Sequence, residues 1–376
     1  MTVLSLKSLL RAGGLSLLLI TSAAHAKDAK PAPDDKQIFR AKYIKARLLQ
    51  VTQWQLAHSK HTLVDWTNGA FYSGVFAAYE TTKSKVILDS LMAMGERTKW
   101  QPGKRYDHAD DIAICQTYLN LYRLKKDKRM IQPTIDVVNK FRREPGPETQ
   151  NHNIAWWWCD ALFMGPPVLL KLGGILNQPA YYKTNDSLYQ QTYKLLYNQQ
   201  EHLFTRDASY LWNEAGEGKK ESNGQKIFWS RGNGWVMGGL VQILSELPKD
   251  YPNRSFYVTL FQQMSARLLQ LQQPDGLWRS SLLDPGAYPG GEGSGSGFDC
   301  YAMAWGINQG ILDKQQYLPA VQKAWVALNK LVSPEGRVGW VQPIGADPRR
   351  DFSADSWEVY GTGAFLLAGS EVIKLK

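Results

Sequence analysis

The chain has 376 residues, a formal net charge of +10 and an aromatic content of 12%, including 14 tryptophans. Its basic residues are scattered and form no basic-aromatic strip, which argues against a nucleic-acid partner and suits an anionic one such as a uronate glycan. Three cysteines, Cys115, Cys159 and Cys300, are too few and too far apart for a disulfide framework and read as buried thiols.

Lys7 and Arg11 precede an apolar run, Leu15–Ile20, and small residues ending in Ala24-His25-Ala26. This is the pattern of a secretory signal peptide over residues 1–26, so export is expected, into a bacterial periplasm. The run is too short to span a membrane, and no later segment reaches ~18 uninterrupted apolar residues. Removing residues 1–26 takes away two basic residues and no acid, leaving +8. Residues 27–36 are polar and Pro-containing and read as a disordered linker.

From Gln37 the apolar spacing is helical. Helices are expected to about Ala57, over Trp66–Thr82 and Ser84–Thr98, then over Asp107–Leu124, Arg129–Arg143 and Ile154–Leu172. The pattern continues over Asp186–Phe204, Gly234–Glu246 and Arg254–Gln273, and ends with Gly297–Leu312, Tyr317–Leu331 and Trp357–Leu375. Short polar links (Lys125–Lys128, Pro248–Asn253, Asp313–Gln316) alternate with long loops rich in Gly, Pro and Trp. Two of those loops, Gln272–Ser280 and Ser333–Trp340, look alike, with glycines 60 residues apart. Repetition at hairpin length indicates stacked or circularised helix pairs. Residues 37–376 are therefore expected to form one all-α domain, a six-hairpin α/α barrel with its pocket among the long loops.

Asn151–Leu170 (NHNIAWWWCDALFMGPPVLL) puts three tryptophans before a lone acid, Asp160. Apolar surroundings raise a carboxyl pKa, which suits a general acid, and indole faces suit sugar rings. A tryptophan-rich core helix with Asp160 as cap or ion-pair partner is the plain alternative. Arg105–Asp111 opens a helix with three acids, of which capping explains one or two. Phe228–Trp235 (FWSRGNGW) sets Arg231 among glycines and tryptophans, fit either to fork onto a carboxylate or to stabilise a helix entry. Gly290–Phe298 and Glu358–Leu367 read as flexible turns and helix packing.

WCDALFMGPPVLLKLG around Asp160, FWSRGNGW, and GTGAFLLA at Gly361–Ala368 resemble the unsaturated uronyl hydrolases, glycoside hydrolase family 105 with family 88 as its sister group. The similarity runs in order from about Gln37 to Leu375 and implies the same barrel. It implies Asp160 as catalytic acid/base and Asp107 as a second essential acid, with Asp111 a rival for that place. Trp66, His108, Asp111, Trp158, Arg231 and Trp235 would bind substrate, Arg231 holding the uronate carboxylate and Trp235 stacking on the ring. Two family histidines have no clear match; His152 and His202 are the nearest candidates. The implied reaction releases a 4,5-unsaturated uronic acid from lyase-generated oligosaccharides, without metal or cofactor. From charge and hydropathy no nucleic-acid or membrane partner is expected, and the sequence leaves the oligomeric state open, a monomer being the expectation. An inverting glycosidase pairing Asp160 with Asp110 or Asp111 across roughly 6.5–9.5 Å, and a non-catalytic glycan-binding protein, are the rival readings.

Overall fold

The computed structural model describes residues 36–144, 146–147 and 153–375. The proposed signal peptide, all of the linker except Lys36, and His152 lie outside them. Twelve helices of eight or more residues occur among the described residues. They are α1 (Ala41–Ala57), α2 (Trp66–Thr82), α3 (Lys85–Thr98), α4 (Cys115–Lys125), α5 (Gln132–Arg143) and α6 (Pro166–Leu176). The second half contributes α7 (Ala180–Leu196), α8 (Ser230–Glu246), α9 (Arg254–Leu271), α10 (Gly293–Asn308), α11 (Lys314–Lys330) and α12 (Val359–Val372).

Inner and outer helices differ as their sequences require. A helix apolar all round belongs inside, and one with a single apolar stripe belongs on a surface. From Ser230 to Leu244 every residue of α8 is buried, and so is every residue of α12. In contrast, α3 buries only Ile87, Leu91, Met94 and Gly95, one stripe at helical spacing. The even-numbered helices touch in order, α2–α4–α6–α8–α10–α12, and α12 packs back on α2. That closure makes the ring an α/α barrel, with the odd-numbered helices outside. At the closing seam a Cβ on Gly74 would stand 2.4 Å from the Gly363 carbonyl oxygen, so only glycine permits this approach.

Each long loop runs from an outer helix to the N-terminus of an inner one, so all six open on one rim. Side chains start these helices: Asp65 accepts from the Thr67 N–H at α2, and Glu292 from the Ser294 and Gly295 N–H groups at α10. Helix N-termini carry partial positive charge, which favours anions at this rim.

Four sequence expectations change in detail. The Asp107–Leu124 helix is a single turn, Ala109–Ile112, followed by α4. The expected Ile154–Leu172 helix begins only at Ala161 and is interrupted at Gly165, where Pro166 starts α6. Tyr197–Phe204 leaves the expected helix to form a small hairpin, β1 (Tyr197–Asn198) against β2 (Leu203–Phe204). The glycine-serine run is not a flexible turn but the first turns of α10, fully buried from Gly293 onward. The three cysteines are buried free thiols, and no helix among the described residues is long and apolar enough to cross a membrane.

Candidate active site

Trp158 and Cys159 run beside Arg206 and Asp207: Trp158 bridges Asp207 antiparallel, and the Cys159 N–H donates to the Arg206 carbonyl at 2.8 Å. This pairing sets Arg206 against Asp160, with Nε 3.8 Å from Oδ2. The Arg206 Nη1 donates to Asp207 Oδ2 at 2.6 Å, and the guanidinium lies 5.3 Å from the Trp157 ring centre. Its buried Nε has no hydrogen-bond partner. A guanidinium held by Asp207 on one side thus faces Asp160 on the other and puts a fixed positive charge beside that acid.

Asp160 is 13% exposed at its side chain. Burial pushes its carboxyl above the ordinary range, while Arg206 and then Arg231 pull it back. The Cys159 thiol donates to Oδ2 at 3.5 Å, and burial raises that thiol well above its usual value, so it stays protonated.

The charge of Asp160 also acts on the carboxyl of Asp110. That carboxyl is pushed up to about 8, first by burial and then by the charge of Asp160. At neutral pH Asp110 therefore keeps its proton. Neither of the two acids named from the sequence takes this position. The Asp107 carboxylate is turned against Gly146, where a Cβ would stand 2.1 Å from Oδ2. Asp111 is tied to Arg105, accepting its backbone N–H at 2.9 Å and its Nε at 2.8 Å, so it fixes the loop before α4. His108 accepts the Asp110 N–H at Nδ1 (3.3 Å) and tilts against Trp158 with 4.5 Å between ring centres. It thereby orients the Asp110 turn.

A cavity of about 500 Å³ opens on the Asp110 side of this group, lined by Asp65, Trp66, Lys104, Arg105, Asp110 and Asp111. Trp66 stacks on Tyr360 at 5.4 Å and 17°, and leaves part of its indole accessible. The partly exposed tryptophans of this region are Trp66, at the cavity, and Trp157, against Arg206. Trp158 is 3% exposed, and Trp235 is fully buried between Trp66, Phe163 and Phe298. Trp235 supports the Trp66 wall from behind and does not face a sugar ring itself.

Arg231 also departs from its expected role. It is fully buried, with Nη1 donating to the Gln342 carbonyl at 2.7 Å and Nη2 to that of Pro343 at 3.0 Å. Its guanidinium lies 4.3 Å from the Trp229 ring and 4.9 Å from Tyr360. The fork expected to grip a carboxylate holds the loop before α12 instead, and its charge reaches Asp160 only as a field. His202 sits in the β1–β2 turn with Nδ1 2.9 Å from the Tyr197 hydroxyl, away from this constellation. The sequence names Asp110 only as a rival partner of Asp160, Trp157 only as one of three tryptophans, and Arg206 not at all. Arg206-Asp207 after an aromatic-containing segment was the available signal for the last. Among the described residues no group of three or more His, Cys, Asp or Glu is placed to hold a metal ion.

Two acids of raised pKa, a guanidinium beside one of them and partly exposed tryptophans suit acid-catalysed chemistry on an anionic sugar. Residues 41–376 match the model of Glycosyl Hydrolase Family 88. A relative from Formosa agariphila, named an unsaturated 3S-rhamnoglycuronyl hydrolase, is 45% identical over 89% of this chain and 91% of its own length. One of the same name from Alteromonas is 33% identical over 82% of this chain and 77% of its own. A solved structure of a family 88 glycosyl hydrolase from Bacteroides vulgatus superposes with a TM-score of 0.82 at 30% identity, covering 89% of this chain and 99% of that one. With its barrel, its two acids and these relatives, the chain belongs to glycosyl hydrolase family 88.

Proposed function

We propose that the enzyme removes a 4,5-unsaturated uronyl residue from the non-reducing end of lyase-generated oligosaccharides by hydrating its C4=C5 bond. The observation that carries this reading is the largely buried Asp160 carboxyl, 13% exposed, with Arg206 Nε 3.8 Å from its Oδ2. The Formosa and Alteromonas relatives support it by name.

The C4=C5 bond is a vinyl ether, so protonation at C4 leaves an oxocarbenium-like centre at C5. Asp160 gives that proton, then takes one from the water that adds at C5. The resulting hemiketal opens, the C1–O bond to the leaving glycan breaks, and the rest of the chain departs. Arg206, 22% exposed at its side chain, supplies the positive charge that meets the uronate carboxylate, while Trp66 and Trp157 flank the ring. Asp110 keeps its proton near neutral pH and so adds no further negative charge where the uronate carboxylate binds. No anomeric nucleophile is required.

The test is loss of the ultraviolet absorbance of the unsaturated bond when lyase-generated pectin, ulvan and glycosaminoglycan oligosaccharides are supplied. Turnover of saturated glycosides with none of that loss would replace hydration by a paired-carboxylate glycosidase. The leader over residues 1–26 supports export to the periplasm, and recovery of a secreted chain beginning at Lys27 is the check on it.

A further inference from the structure

A second cavity, of about 350 Å³, lies on the loop that Arg231 holds. Tyr288, Gly290, Trp340, Arg349, Arg350 and Phe352 line it. Of the two similar loops in the sequence, one puts its tryptophan in the core: Trp278 is fully buried, and its Nε1 donates to the Leu268 carbonyl at 2.8 Å. The other presents Trp340 partly exposed at this cavity.

Trp340 also has φ +54°, a left-handed conformation that bulky residues adopt only when their surroundings impose it. Its N–H donates to the Ser353 carbonyl at 3.0 Å, and its own carbonyl accepts the Gly293 N–H at 2.7 Å. The indole closes over Gly290, where a Cβ would stand 2.5 Å from Cζ3, and meets Phe352 edge-on at 6.2 Å. Such strain concentrates at ligand sites.

The charge at the cavity is basic. Arg350 is exposed, with its guanidinium 5.1 Å from the Tyr288 ring, and the Tyr288 hydroxyl donates to Glu221 at 2.9 Å. Arg349 forks onto Asp351, a surface pair that solvent already screens and that an incoming anion can exchange. The loop is fixed beside the active site on two sides. Gln342, two residues after Trp340, accepts from Arg231 and from Tyr360. Asp347 hydrogen-bonds Tyr210, in the turn that follows Arg206 and Asp207.

We propose that this cavity is a second sugar subsite, which takes a residue of the leaving glycan bearing an anionic substituent, a sulfate ester or a carboxylate. The ring stacks on Trp340 and the anion meets Arg350 and Arg349. This rests on the hydration reading above, because that reading brings an oligosaccharide to the rim.

The experiment compares wild type with Arg350→Gln and Trp340→Gly; glycine accepts the left-handed backbone, so the second variant removes the indole without strain. The substrates are an unsaturated methyl uronide, a sulfated lyase oligosaccharide, the same oligosaccharide desulfated, and one bearing a saturated uronate. Both variants should raise KM about tenfold on the anionic oligosaccharide, with kcat unchanged and the methyl uronide processed as by wild type. The sulfated and uronate arms identify which anion is read. Unchanged KM on every anionic oligosaccharide overturns the subsite. If wild type turns over none of these substrates, hydration fails instead, and calorimetric titration of wild type and Arg350→Gln with the sulfated oligosaccharide decides the subsite alone. Equal binding by both proteins then overturns it, and binding weakened about tenfold in the variant supports it.

Discussion

Arg231→Lys separates two uses of one side chain. In the structure the guanidinium serves two backbone carbonyls and lies against two aromatic rings. Lysine keeps the charge but cannot reach both carbonyls. Gln342 O would keep a partner, because the Tyr360 hydroxyl donates to it at 2.6 Å. Pro343 O would lose its partner, at about 1–3 kcal/mol for a buried acceptor. The contacts with Trp229 and Tyr360 add ~0.5–2 kcal/mol each. The expected total is about 3 kcal/mol, or roughly 6 °C in Tm at about 2 °C per kcal/mol for a large domain. Calorimetry measures this directly, and limited proteolysis should show faster cleavage within the loop before α12. If Tm stays within about a degree of wild type while KM on a uronate substrate rises tenfold, Arg231 grips substrate and the anchoring role is wrong.

Other outcomes follow from the same contacts. The folded-state pKa of Asp110 is raised, so the native protein binds more protons than the unfolded chain between pH ~4 and about 8, and stability falls as pH rises. Asp110→Asn removes that loss, and thermal melts should show the variant gaining on wild type across this window. Arg206 lowers the Asp160 pKa, so Arg206→Gln should move the alkaline limb of the pH–rate profile upward while raising KM about tenfold or more, in line with a lost charge-assisted hydrogen bond. A side chain at Gly363 would meet the Ala70 carbonyl oxygen at 2.6 Å; Gly363→Ala should destabilise the seam by ~1–3 kcal/mol, measured by denaturant unfolding.

The barrel was legible because apolar spacing and loop length are local properties. Twelve periodic segments and alternating connections are enough to specify six hairpins, and the glycine pairs at the α2–α12 seam fit helices in close approach. Boundaries failed where tertiary contacts compete with periodicity: Trp158–Cys159 reads as helix but pairs its backbone with Arg206 and Asp207. The Gly/Ser start of α10 reads as loop, yet Glu292 caps it and dense packing holds it.

The site was legible in composition more than in assignment. Asp160 stands out because a lone acid among tryptophans is rare. Asp107, Asp110 and Asp111 are equivalent as residue types, and only the turn that hands Asp111 to Arg105 separates them. Arg231 and Trp235 sit in the most conspicuous motif, but Arg231 is buried against the loop at Gln342 and Pro343 and Trp235 among Trp66, Phe163 and Phe298, which no local pattern ties to them. Arg206 gains its place from long-range pairing alone.

Asp160→Asn tests the central claim most directly. The variant keeps shape and hydrogen-bonding capacity but can neither protonate C4 nor activate water. General acid-base catalysis contributes roughly 10²–10⁴-fold. The account therefore predicts a folded protein that still binds the unsaturated disaccharide and bleaches its absorbance at no more than about a hundredth of the wild-type rate. A variant that retains more than about a tenth of that rate contradicts a proton-transfer role for Asp160.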